Sequence, residues 1–582
     1  MQAFFYSTYR RLEDSGFLKE YWSEIIDKVP GYLQIFHNED HLSFHEVGGE
    51  FLANCGVLAF EDKFNKSVLE EIFYKDGRDL EWYLKRRRTH GQFFLLSYMW
   101  NKTDYKKELK LITDQFATIP IYIKYCEDGD YEVSNVYRWL IDKKVGDIDL
   151  FALDQRLSVD WNYPMFTDNT LFRNIKLAKS SIIYKLDKRV IIEENYTKEN
   201  YITLDETIKN NFKFLDNVDR IWCDVTGGFD TRLNLDYCLK NFVFDYNGNS
   251  KVIFGNDLSD KDKWLLKGKY SDHNICKQIE RKFGIDIEDY TSNHHLVIDD
   301  WLEKHFNDML KFNDNPVMSD KRFYHHWDIA HRVDIKLTGF AGTEMCTNSG
   351  FDLQETNTWM DYVRIRQPHR DLLKLDYSNS YYWNMSKYSQ DNNIGGGEPY
   401  SFWLTGFQNC QQSYWGTANL FLPIYSPYID LLPILLKYNR ETKKNYKIQR
   451  YYYDDYMLQE LSSINTSHGF PACEVTWKNW YRFIRLFISF GDYNLQYINL
   501  WKRFRRYIID KLFYNFPHSK VLRFIGKKMG RDMSFVDRGL LNGGLSIFID
   551  EEKFRKVKIY RQPLLWIYKL DRIMKEYMDK KV

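Results

Sequence analysis

Up to about residue 200, apolar positions come in short runs broken by turn residues, the spacing of strands rather than of helices. Phe51–Phe60, Gly91–Trp100, Pro120–Tyr125 and Tyr131–Ser134 read as strands, and the whole region as mainly β structure. From about 205 the pattern changes. Ile221–Val225 and Lys251–Phe254 are apolar runs of strand length, and Leu233 and Leu239 mark a helix between them. Asp272–Phe283 carries Ile275, Ile279 and Phe283 on one helical face, and Asp334–Thr338 is a further strand that runs into glycine-rich sequence. Strands alternating with helices predict a parallel sheet. The stretch from about 350 to 460 reads as loop-rich, with a glycine turn at Asn393–Glu398, and beyond 475 the pattern becomes helical, aromatic and basic. Three regions follow: 1–200, 201–475 and 476–582.

Composition narrows the class. The chain has 582 residues, 44% hydrophobic and 28% charged, with a formal net charge of +1. So long a chain divides into several cores, and a near-neutral balance gives no argument for nucleic-acid binding. No apolar run approaches the roughly 20 residues that span a bilayer, and the N-terminus lacks the order of a signal peptide, so a cytoplasmic protein is expected. Its eight cysteines are scattered without a CxxC pair, which speaks against a zinc site or a disulfide framework. The aromatic content of 18% accompanies high Asn, Lys and Ile and carries little functional weight. His37, His41 and His45 have the spacing of one helical face, but with no cysteine nearby a zinc site is not expected. His325, His326 and His331 fall on an expected helix as surface or core residues.

Chemistry concentrates at Val218–Leu235, where the strand ends in Thr226, Gly227, Gly228, Phe229, Asp230 and Thr231 before a helix. Two glycines let backbone approach an anion, and the N–H groups and dipole of the helix N-terminus point at it. An ordinary Gly-Gly turn is the plain alternative. The pattern resembles the pyrophosphate loop of the ATP pyrophosphatase superfamily, which splits ATP between its α- and β-phosphates. That resemblance implies a nucleotide site at three strand ends. The other two are Val252–Asn256, with Phe254, and Leu337–Met345, with Gly339 and Glu344. Asp230 is the candidate Mg²⁺ ligand, or the cap of the following helix. Thr226 and Thr231 offer hydroxyls to phosphate, or serve as cap residues.

Further motifs occur in order: Leu111–Ile123, Val133-Ser134, Thr170–Ile175, the two glycine turns, and Leu422–Asp430. Together they resemble the asparagine synthetase B family over about residues 90–475. The fold this implies is α+β followed by α/β: an N-terminal β-rich amidohydrolase-like (Ntn) sandwich at 1–200, a parallel-sheet ATP-pyrophosphatase domain at 201–475, and a helical extension at 476–582. The resemblance implies ATP and Mg²⁺ as cofactors, Asp230 and Glu344 as metal ligands, Glu344 and Arg232 as catalytic candidates, and a ligase that adenylates a carboxylate and forms an amide. Departures are specific. Gln2 stands where an active glutaminase of this family has its nucleophilic Cys, so ammonia or an amine is expected from elsewhere, such as a separate glutaminase. Phe340 and Thr343 replace a Glu and a metal-binding Asp, and Ile464–Gly469 lacks the family's lysine. The chain resembles diverged members from capsule and O-antigen loci more than the amino-acid enzyme, which implies a carboxylate-bearing small molecule or glycan, such as a uronic acid, as substrate. A scaffold without chemistry and an internal cyclase of the β-lactam-synthetase type are the alternatives. The basic, aromatic stretch 501–531 reads either as a peripheral contact with the inner face of a membrane or as a solvated helix face.

Overall fold

The computed structural model describes residues 3–12, 23–27, 29–37, 43–74, 80–86, 88–101, 105–141, 148–158, 167–199, 203–228, 230–242, 251–256 and 272–289, and, farther on, 326, 329–339, 360, 363–364, 369–374, 378–391, 418–435, 457–466, 544–556, 567, 570–571 and 574–575. The stretch 501–531, the turn Asn393–Glu398, and Phe229, Phe340, Thr343 and Glu344 lie outside the described residues.

Strand Phe93–Asn101 shows why the first region folds as layers. Successive side chains point to opposite faces of a strand. Phe94 and Leu96 enter one core, and Phe93 and Leu95 enter a second. The first core lies between two antiparallel sheets of six strands each, with the rings of Phe4 and Phe94 5.3 Å apart across it. The second lies under helices Lys66–Tyr74 and Leu80–Lys85, which bury Val68, Leu69, Ile72, Phe73, Leu80, Tyr83 and Leu84. Each such buried side chain contributes roughly 1.5–3 kcal/mol of hydrophobic stabilisation.

The region is mainly strands, as expected, and adds three helices that the reading did not mark, these two and Leu150–Leu157. Lys66–Tyr74 does carry a helical period, but its nine residues sit among longer strand signals. The histidine stripe is corrected. His37 ends strand Tyr32–His37 and His45 lies in strand Phe44–Val47, so no helix joins them, and His41 is outside the described residues.

The second region holds the expected parallel sheet. Its order is Ile287–Asp289, Val252–Asn256, Ile221–Asp224, Ile335–Leu337 and Ile424–Tyr425, all parallel. Helix Arg232–Phe242 follows the central strand and helix Asp272–Phe283 follows its neighbour. The stretch expected as loop-rich contains helices Ser378–Asp391 and Pro427–Leu435. No described helix is long and apolar enough to cross a membrane.

Among the contacts between the first region and the second are two polar ones. Gln92 accepts from the Ser426 N–H (2.8 Å) and donates to the Ser426 carbonyl (3.2 Å), and the Gly91 N–H donates to Asp430 (3.0 Å). At the second, His369 Nε2 lies 2.7 Å from Asp154 Oδ2, with the imidazole stacked on Tyr381. Burial pushes the Asp154 carboxyl above its ordinary range, against the pull of His369. Late in the chain, the Lys374 N–H donates to the Phe548 carbonyl and the Asp550 N–H to the Leu372 carbonyl, so residues 548–550 pair with 372–374.

Candidate functional site: a loop at the switch point of the parallel sheet

From the central strand the chain moves first to Val252–Asn256 on one side and later to Ile335–Leu337 on the other. The loops leaving two strands whose connections diverge leave a crevice at their carboxyl ends, the place where open α/β sheets bind ligands. Both glycine turns leave from this point. Gly339 packs on the backbone of the first loop, where a Cβ would come within 2.5 Å of the Thr231 nitrogen and closer still to Asp230. The two turns are therefore in contact, and glycine is needed for that approach.

Within the loop the polar groups close on one another. The Thr226 N–H donates to Thr231 Oγ1 (3.0 Å), and the two threonine hydroxyls are 3.0 Å apart. The Gly228 N–H donates to Thr226 Oγ1 (3.2 Å). The Gly227 N–H donates to Oδ1 of Asp272, the first residue of the neighbouring helix (2.9 Å). Asp230 is partly exposed.

Below the loop lies an ion pair. Lys336 Nζ, fully buried, is 3.2 Å from Asp224 Oδ1, which also accepts from Trp222 Nε1 at 2.9 Å. The bond joins the two strands from which the glycine turns depart. Trp222 takes up the space that a side chain at Gly255 would occupy, and Arg332, bound to Glu288, lies over the indole with its guanidinium 5.8 Å from the ring centre.

Arg232 opens the helix after the loop. Its guanidinium is fully buried and donates to the carbonyls of Leu461 (2.9 Å), Ile464 (2.7 Å) and Asn465 (2.9 Å). One turn further, Asp236 accepts from the Leu458 N–H (2.8 Å) and pairs with Lys240, and burial pushes its carboxyl above the ordinary range. Helix Arg232–Phe242 thus clamps residues 458–465 beside the loop. Phe254 is a core side chain, 4% exposed, on the sheet face that carries Cys223. Cys276 packs nearby, with burial pushing its thiol up to about 12. The described cysteines are all free thiols.

The structure therefore gathers Thr226, Gly227, Gly228, Asp230, Thr231 and Gly339 at one place, while Arg232 and Phe254 are turned into packed surroundings. Asp224, Lys336 and Asp272 were not anticipated. The first two had a signal: each is a charge within an apolar strand run. Among the described residues no three His, Cys, Asp or Glu side chains gather as a metal site. Asp230, partly exposed at the loop, still suits Mg²⁺, which shares phosphate oxygens and water with only one or two protein carboxylates.

No model of a known protein family matches the chain, and no curated protein matches it.

Proposed function

We propose that the parallel-sheet region binds Mg-ATP over the Thr226–Thr231 loop and adenylates a carboxylate, which an amine or ammonia then converts to an amide. The observation that carries this reading is the contact of Gly339 with Asp230-Thr231, two glycine turns meeting at the switch point of a parallel sheet. The donor set fits a polyphosphate: three consecutive N–H groups, two hydroxyls and a helix N-terminus. In this reading a carboxylate oxygen attacks the α-phosphorus, the bond to the bridging oxygen breaks, and pyrophosphate leaves. Activation is required because hydroxide is a poor leaving group from a carboxylate. The loop N–H groups oppose the charge that grows on the departing pyrophosphate. Mg²⁺, held by Asp230 and Glu344, would spread the triphosphate charge. Ordered resemblance to the asparagine synthetase B family supports the same chemistry, with a uronic acid of a surface polysaccharide as substrate and nitrogen from a separate source. Work at the inner face of the membrane, through 501–531, belongs to this reading.

The test is pyrophosphate release with candidate acids. Wild type should release it and Asp230→Ala should not; equal behaviour of the two refutes the proposal. One observation favours the non-catalytic alternative: the loop N–H groups are closed by the protein's own side chains. Isothermal titration with Mg-ATP separates the readings, because a scaffold that has lost the site gives no heat of binding.

A further inference from the structure

Three consecutive N–H groups of the loop each have a partner, but the partners differ in kind. Thr226 and Gly228 donate to hydroxyls, Thr231 Oγ1 and Thr226 Oγ1. A hydroxyl is both donor and acceptor, so it can turn and donate to an arriving anion. Gly227 donates to a carboxylate, Asp272 Oδ1, at 2.9 Å. An ionised carboxylate only accepts.

Gly227 is built for that contact. It is absent from the glycines with positive φ, so its backbone conformation does not demand glycine. Space does: a Cβ there would lie 2.9 Å from Ile275 Cδ1, 3.1 Å from Asp272 Cα, and nearer still to Asp272 Oδ1. The missing side chain lets helix Asp272–Phe283 seat its first residue against the loop. The helix N-terminus in turn favours a negative charge at Asp272.

We propose that Asp272 is an anion stand-in that holds the Gly227 N–H until a polyphosphate displaces it. The proposal rests on the nucleotide reading above and adds a selectivity to it. Bare phosphate or pyrophosphate meets a like charge at the loop, whereas a polyphosphate carrying Mg²⁺ brings a cation that the displaced carboxylate can face. The loop therefore discriminates metal-bound nucleotide from free anions.

The experiment titrates pyrophosphate in EDTA, and separately Mg-ATP, into wild type, Asp272→Asn and Asp272→Ala. Asn keeps the shape and an acceptor oxygen, so it reads the charge even if the Ala variant loses stability. Both variants should bind metal-free pyrophosphate about tenfold more tightly than wild type, a change of ~1.4 kcal/mol. Binding of pyrophosphate no tighter than wild type, while wild type binds Mg-ATP, overturns the stand-in alone. So does an Asn variant equal to wild type beside a weakened Ala variant, which would make Asp272 a loop-shaping residue. If no protein binds either probe, the nucleotide reading fails and this proposal with it.

Discussion

Gly339 and Thr231 belong to different loops, yet a Cβ on the glycine would stand 2.5 Å from the threonine's backbone nitrogen. Because the obstacle is backbone, it cannot swing aside. Gly339→Ala should therefore destabilise the protein by about 1–3 kcal/mol, the range for overpacked sites, and weaken Mg-ATP binding. Urea unfolding and titration check both. A variant with wild-type stability would mean that the turns can separate without loss.

The pair Asp224–Lys336 is predicted to be strongly coupled. Lys336→Met leaves a carboxylate in the sheet interior without its cation and should lose about 3–5 kcal/mol. Asp224→Asn on the same background removes the charge while keeping an oxygen for Trp222 Nε1, and should restore much of that loss. A double-mutant cycle by urea unfolding should give a coupling of at least about 1 kcal/mol. Simple additivity would show that the charges do not interact.

His90 gives the seam between sandwich and sheet a pH dependence. Burial pushes its imidazole below the ordinary range, with Asp430 and the Arg88 carbonyl pulling the other way. A depressed histidine contributes stability that is complete above the unfolded value of about 6.5 and is lost as pH falls below it, because the unfolded chain takes up a proton that the folded one resists. Asp114 acts with the opposite sign. Its carboxyl is pushed up to about 7 by burial, so its share is lost as pH rises from about 4 through 7. The difference between wild type and His90→Gln isolates the histidine: the variant's Tm should fall less between pH 7.5 and pH 5.5. Parallel Tm curves would count against it.

Ala117 has φ +45°, in the left-handed region, inside the turn that Asp114 organises by accepting from the Phe116 and Thr118 N–H groups. A Cβ is unfavourable there, so Ala117→Gly should raise stability by about 1 kcal/mol. Chemical denaturation measures it, and a destabilised variant would show that the strain is absent.

The parts legible in the sequence were those where one period ran unbroken. Ile275, Ile279 and Phe283 marked helix Asp272–Phe283 to the residue, and the apolar runs at Ile221 and Val252 marked the two strands of the loop site. Helices Lys66–Tyr74 and Leu80–Lys85 escaped because their apolar faces serve the same second core as the strands beside them. At the site, the glycine turns could be read from residue type, since close approach demands glycine whatever the partner. Their partners could not. Asp272 lies 45 residues from Gly227, and Lys336 is 112 residues from Asp224. Only the order of strands in the sheet brings them together. Arg232 was expected at the chemistry for its proximity to the loop in sequence, but as the first residue of a helix it points across to the carbonyls of residues 461–465.

The amide of Gln92 meets the backbone of Ser426 as a strand would, giving one bond and taking one. Asp430, four residues on, holds the Gly91 N–H. The last strand of the parallel sheet and the helix after it are thus fastened to the sandwich. The sandwich serves as a buttress for the sheet edge, and a chain trimmed of its first 200 residues would expose the ends of that edge to water.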